Sequence, residues 1–216
     1  MAQIFHPAAN ALARGTIFGA VFILAAVVWA GSVWMRSPYV TRVNVVRDQP
    51  VPFSHDHHVA GLGIDCRFCH ATVETSAFAG MPSTETCMGC HSQIWNKSPL
   101  LAPVRESYQN GTPLAWTRVY DMPDYVYFNH SIHVAKGIGC ESCHGRVDRM
   151  PLMRKAVAMH MEWCLDCHRH PETAVRPRGE VFRFGQGPEQ TVEGSRLVRE
   201  YAIAKQQLTD CVICHR

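Results

Sequence analysis

The sequence is poor in charge: 18% of its 216 residues are Asp, Glu, Lys or Arg, against about a quarter in ordinary soluble domains. It has no low-complexity tract, and at 47% apolar residues it does not have the composition of a disordered chain. A clustered basic stripe is also missing, and a formal charge of +3 is too mild to select nucleic acid as a partner. No charge falls between residues 15 and 35, and no cysteine is left over once a single motif has been counted. The length suits one medium domain or two small ones.

What the chain has in excess is cysteine and histidine, ten and thirteen residues respectively. All ten thiols fall into five copies of Cys-x-x-Cys-His: Cys66, Cys69 and His70; Cys87, Cys90 and His91; Cys140, Cys143 and His144; Cys164, Cys167 and His168; Cys211, Cys214 and His215. This is the attachment signature of haem c. Two thiols on one short turn add across the two porphyrin vinyl groups, and the histidine that follows lies under the iron as its proximal ligand. Structural zinc pairs two Cys-x-x-Cys knuckles per tetrahedral site, so an odd number of copies and an invariable histidine count against it. A disulfide framework is laid out differently. The expected cofactors are five covalently attached haem c groups.

Residues 15–35 form a continuous apolar run bracketed by Arg14 and Arg36, with Trp29, Trp34 and Tyr39 gathered toward its C-terminal end. As a helix this run reaches about 31 Å, enough for a hydrocarbon core of about 30 Å, and the aromatics sit where an interfacial belt belongs. A cleaved secretory signal has a shorter apolar core and a small-x-small processing site; Val28-Trp29-Ala30 is a poor one, so the run reads as an uncleaved anchor. Arg36, Arg42 and Arg47 follow it and only Arg14 immediately precedes it, but long translocated domains largely escape the positive-inside rule. Covalent haem attachment outside the bacterial cytoplasm places the remainder on the periplasmic side of the inner membrane. The expected division is 1–37 as membrane anchor and 38–216 as the haem domain.

An internal repeat organises that domain. Phe53-Ser-His55-Asp-His57-His58-Val59 and Phe128-Asn-His130-Ser-Ile-His133-Val134 both read F-x-H-x-x-H-V, and each leads into a pair of haem motifs. The modules are expected at about 50–95 and 125–170, with a last haem on 190–216. Pro99, Pro103, Pro113 and Pro123 between the modules argue for extended crossing segments. The stretch 172–190 is Gly- and Pro-marked, and 192–208 carries Leu197, Val198, Tyr201, Ile203 and Ala204 among charges, an amphipathic helix. The fold class expected is mainly irregular and short-helical with little β structure, the chain wrapping its cofactors more than building a separate core.

Each iron leaves one axial position to fill. Outside the motifs the domain has His55, His57, His58, His130, His133, His160 and His170. His55 and His58, like His130 and His133, stand three apart and share a helical face; these four are the expected distal ligands. His57 is matched by Ile132 in the second repeat, and His170 lies in a His-Arg-His-Pro run that reads as surface. Met161, Met150 and His160 remain for the fifth iron, a methionine raising its potential relative to bis-histidine neighbours. Filled axial positions leave no iron open to substrate, and nothing else resembles a nucleophile–base pair. The reading is electron transfer, with no catalytic residue on this chain. Arg146, Arg149, Arg154 and Arg169 either pair with haem propionates or form a solvated basic face.

The repeat followed by haem motifs resembles the multihaem cytochromes of the c3/c7 class. The fuller set is Pro-Ser-Thr-x-Thr-Cys-Met-x-Cys-His-Ser-Gln-Ile-Trp at 82–95, Phe-Asn-His-Ser-Ile-His-Val at 128–134, Cys-His-Gly-Arg-Val-Asp-x-Met at 143–150 and Met-x-Trp-Cys-Leu-Asp-Cys-His-Arg at 161–169. Together with the anchor it resembles the pentahaem cytochrome subunit of alternative complex III, a bacterial quinol-oxidising membrane complex. That resemblance implies Met161 as the fifth distal ligand, with His160 beside it a departure from the pattern. It also implies partners: an iron–sulfur subunit related to molybdopterin enzymes, polytopic quinol-binding membrane subunits and a monohaem cytochrome c. The rival reading is a membrane-anchored multihaem quinol dehydrogenase feeding a periplasmic reductase.

Overall fold

The structure, a computed structural model, describes residues 4–185 and 191–215. Of the Gly- and Pro-marked stretch 172–190, residues 186–190 lie outside the described residues. In chain order the α-helices are α1 (Ala8–Arg36), α2 (Pro38–Thr41), α3 (Cys66–Cys69), α4 (Thr84–His91), α5 (Ala102–Asn110), α6 (His130–Ala135), α7 (Cys140–His144), α8 (Met161–Arg169), α9 (Thr191–Glu200) and α10 (Cys211–Cys214). A π-helical turn, Asp56–Gly61, and several 3₁₀ turns complete the regular structure. The described residues form no strand, only isolated bridges joining Val46 to Arg154, Val126 to His215 and Ile138 to Val175. The protein is helical and strand-poor.

The chain divides into two units, Met1–Val43 and Asn44–Arg216. In the first, α1 runs beyond the apolar run at its N-terminal end and is long and apolar enough to cross a membrane. Its large apolar side chains are exposed around the helix, and none of its described residues is buried, the pattern of a helix whose surroundings are themselves apolar. Trp34 and Tyr39 pack ring to ring at 5.0 Å.

In the second unit the apolar interior is sparse. Among the described residues the buried apolar side chains are Val51, Val73, Val104, Met150, Val175, Val181, Leu197, Val198 and Tyr201, and the one cluster they form joins Val175, Leu197, Val198 and Tyr201. Helix α9 presents Leu197 and Val198 to this cluster, and Tyr201 follows directly after its end. The helix ends at Glu200 rather than near 208, because Ala202 takes a left-handed conformation (φ 50°) and a 3₁₀ turn, Lys205–Gln207, follows. The crossing segment between modules is not wholly extended either: Pro99 opens a 3₁₀ turn and Pro103 sits in the first turn of α5. There the missing N–H would have had no helical partner, so proline is tolerated.

Helix α9 lies against the 3₁₀ turn Pro171–Thr173, and Gly194 is the contact that lets it do so: a Cβ there would collide with the carbonyl oxygen of Glu172. Gly194→Ala should therefore push α9 off this turn, costing about 1–3 kcal/mol, or about 2–4 °C of melting temperature per kcal/mol. Gly179, with open space around its Cα, is the control. Thermal unfolding of the two alanine variants checks this; equal midpoints would contradict the packing described.

Candidate metal centres

Every Cys-x-x-Cys pair lies on helix, so its two thiols, three residues apart, share a face. Helices α3, α7 and α10 are single turns that begin at the first cysteine, while in α4 and α8 the pair begins one turn into a longer helix. Local polar contacts hold the turns. Asp65 caps α3 by accepting from the Arg67 amide at 2.8 Å and binds the Arg67 guanidinium through both oxygens. The His70 and His215 amides donate back to the carbonyls of Cys66 and Cys211, each at 2.8 Å. The thiols are not joined in disulfides, and no three His, Cys, Asp or Glu side chains among the described residues converge as a zinc knuckle requires.

The first repeat runs into a π-helical turn and the second forms α6, yet their ring contacts agree closely. Phe53 meets His55 edge-on at 4.9 Å and stacks on His58 at 4.4 Å; Phe128 meets His130 edge-on at 4.8 Å and stacks on His133 at 4.4 Å. The Nδ1 of His58 bonds the Ser54 carbonyl at 2.8 Å, and that of His133 the Asn129 carbonyl at 2.7 Å. One aromatic ring thus fixes two imidazoles, and the backbone four residues upstream orients the second.

Those imidazoles face motif histidines. Ring centres are 6.2 Å apart for His58 and His91, 6.3 Å for His130 and His144, and 6.2 Å for His133 and His168. A metal–imidazole nitrogen bond is about 2 Å and a ring centre lies about 1 Å behind its nitrogen, so two imidazoles sharing one metal ion stand about 6 Å apart. The gaps have the width of an iron held on both faces. His55 is near His70: burial first, then the charges of His70 and His58, bring its pKa down to about 4.

The outward nitrogens are held as ligand imidazoles require. Nδ1 of His70 bonds the Gly80 carbonyl at 2.7 Å, that of His91 the Ile94 carbonyl at 3.2 Å, that of His168 the Leu208 carbonyl at 2.8 Å and that of His215 the Tyr125 carbonyl at 3.2 Å. Among the distal candidates, His130 bonds the Ala77 carbonyl at 2.8 Å. An N–H donated to a carbonyl fixes the tautomer, leaves Nε2 unprotonated and makes it more basic. Burial also keeps rings neutral, as metal binding demands. His144 is lowered to about 4 by burial and then by His130, His70 and His55, and burial lowers His133. These donor sets fit haem c: two thiols on one face, an adjacent imidazole and a second imidazole at the spacing of a shared iron.

The thiols also show which motifs are neighbours. Burial raises Cys87, with neighbouring Cys69 next, and pushes Cys140 to about 11, with Cys66 next. Cys143 is driven to about 12 by burial and then by Cys167 and Cys164, and Cys164 is raised by burial and then by Cys214. Neighbouring thiols thus link motif 66–70 to motifs 87–91 and 140–144, and motif 164–168 to motifs 140–144 and 211–215.

The remaining candidates separate. Met150 is 2% exposed and packed as core, whereas Met161, the first residue of α8, is 61% exposed. His160 is the residue before α8, and its Nε2 is buried without a partner. His57 is exposed and stacks on Trp95 at 6.0 Å; His170 is exposed beside Glu172. Arg146 is engaged by Asp148 through both its Nε and terminal nitrogen, so a carboxylate of the chain itself occupies that guanidinium.

A residue the motif reading missed is Tyr120. Its hydroxyl donates to the Cys143 carbonyl at 2.9 Å and accepts from the Ala156 amide at 2.8 Å, while its ring packs at 4.5 Å on His144. No sequence pattern marks it, because both partners are backbone atoms.

Residues 126–216 match the family described as cytochrome c7 and related cytochrome c. This is the half that holds the second repeat and the last three motifs. Over 99 residues, 45% of this chain, the sequence is 38% identical to the menaquinone reductase multiheme cytochrome c subunit of Nitratidesulfovibrio vulgaris. The match covers 46% of that relative, so it spans about half the relative's length. The short-helical stretch 126–216 is thus similar to cytochrome c7.

Tyr120→Phe should leave the Cys143 carbonyl and the Ala156 amide short of a partner next to His144, at a cost of about 1–3 kcal/mol. Thermal unfolding of the haem-loaded protein should show a lowered midpoint, while Tyr108→Phe, on an exposed side chain, leaves it in place. A Tyr120→Phe midpoint equal to the parent's would contradict the bridging role.

Proposed function

We propose that residues 44–216 form a five-haem electron relay, tethered by α1 to the bacterial inner membrane on its periplasmic side. The observation that carries this reading is the set of facing imidazole pairs 6.2–6.3 Å apart, each beside two thiols on a helical turn. Cys66, Cys69, Cys87, Cys90, Cys140, Cys143, Cys164, Cys167, Cys211 and Cys214 hold the porphyrins as thioethers. His70, His91, His144, His168 and His215 are the proximal ligands. His55, His58, His130 and His133 close the opposite faces of the irons held by His70, His91, His144 and His168. Met161 is assigned to the iron on His215; its exposed side chain leaves it available, while Met150 is consumed by packing.

A haem iron bound on both faces supplies one-electron exchange; the chain supplies attachment, orientation and spacing. The carbonyls of Gly80, Ile94, Ala77, Asn129 and Leu208 fix the rings. The links between neighbouring thiols make 87–91 and 211–215 the two ends of the relay.

The relay serves a membrane quinone complex. On the resemblance of its motifs, it takes electrons from quinol within an assembly like alternative complex III, with an iron–sulfur subunit, polytopic membrane subunits and a monohaem cytochrome c as partners. A second reading has electrons flowing the other way, into quinone. The relative in N. vulgaris, which is a subunit of a menaquinone reductase, favours it.

Two measurements on the complex purified from membranes test this. Alkylation followed by mass spectrometry should find every cysteine blocked by haem; free thiols would end the proposal. Added menaquinol should then reduce the haem spectrum within the turnover time. Haems that stay oxidised with menaquinol, yet pass electrons to menaquinone once reduced chemically, would replace the first direction by the second.

A further inference from the structure

The hydrogen bonds on the outward imidazole nitrogens are not shared equally. His58 and His91 both donate to carbonyls, of Ser54 and Ile94, and so do His133 and His168, to Asn129 and Leu208. The other two pairs have one such bond each. In the first, His70 is bonded to the Gly80 carbonyl while Nδ1 of His55 is buried without any partner. In the second, His130 is bonded to the Ala77 carbonyl, whereas His144 has the flank of Tyr120 against its ring, and that hydroxyl is spent on Cys143 and Ala156.

This difference is written in the backbone and not in the ligands. The repeats agree in their phenylalanine contacts, yet His130 draws its acceptor from Ala77, between the two motifs of the first module, while Nδ1 of His55 meets no acceptor. A donated Nδ1–H makes the imidazole a stronger base. A stronger base stabilises the ferric state, and second-shell hydrogen bonding is one of the levers that set a haem potential.

Resting on the ligand assignment proposed above, we propose that the four bis-histidine sites fall into two potential classes: motifs 66–70 and 140–144 higher, motifs 87–91 and 164–168 lower. The two higher sites are joined through one short segment, since His70 is bonded to the Gly80 carbonyl and His130 to the Ala77 carbonyl. The relay then has a pair of neighbouring like centres in its middle, each taking one electron, flanked by lower-potential centres. Quinol gives up two electrons and two protons together. A central pair that holds both electrons suits such a donor.

The test uses the haem-loaded complex and EPR-monitored potentiometry of the parent, His55→Ala and His58→Ala. Each substitution should convert one low-spin signal to high spin, which tags its iron. The low-spin component lost in His55→Ala should titrate, in the parent, at a higher potential than the one lost in His58→Ala. The reverse order, or equal potentials, overturns the grading while leaving the ligands intact. If neither variant loses a low-spin component, the ligand assignment fails and the grading with it. Should a variant not assemble, the parent alone decides: its bis-histidine potentials must separate into an upper and a lower pair, and a single unsplit class overturns the proposal.

Discussion

Two imidazole rings held opposite one another, at a separation too wide for contact and right for one shared atom, are the constraint around which the rest of the second unit is arranged. An imidazole with one nitrogen tied to a carbonyl has its other nitrogen committed in direction and wanting a partner. Three such pairs recur at the same gap to within 0.1 Å. The sparse apolar interior follows from the same cause. A domain of this length ordinarily buries a continuous core of aliphatic side chains; here the described residues contribute one small cluster around Leu197, and the helices that carry the motifs are mostly single turns that could not stand alone.

The modules are stitched to one another by backbone as much as by side chains. The amides of His130 and Ser131 donate to the carbonyls of Ala77 and Ser76, so the second repeat starts against the stretch between the two motifs of the first module. The last motif is returned to the second module by the Tyr127 amide on the Cys214 carbonyl and by His215 on the Tyr125 carbonyl, and His168 reaches Leu208 just ahead of that motif. The proposed ligands of one module are thereby oriented by carbonyls of a neighbouring one. This is how a chain with short helices and no strands among its described residues keeps its metal-binding side chains in register.

Much of this was legible in the sequence. The five motifs, the apolar run and the F-x-H-x-x-H-V repeat each carry chemistry in side-chain identity, and the repeat's spacing already places His55 with His58 and His130 with His133. What was not legible is backbone. The acceptors Gly80, Ala77 and Leu208 serve through their carbonyls, which any residue could provide, so no pattern points to them. Tyr120 is hidden for the same reason. Proline counting overestimated the extended character of the segment before the second module, because Pro103 falls in the first helical turn, where it does no harm. The length of α9 was overestimated because the left-handed turn at Ala202 is made by a residue that gives no warning of it.

The most direct test of the account is an experimental structure of the haem-loaded protein, with iron located by its anomalous scattering. The account predicts an iron midway between Nε2 of His130 and Nε2 of His144, about 2 Å from each, with thioether bonds to Cys140 and Cys143. An iron bound by His144 alone, with His130 turned away or ligating elsewhere, would contradict it.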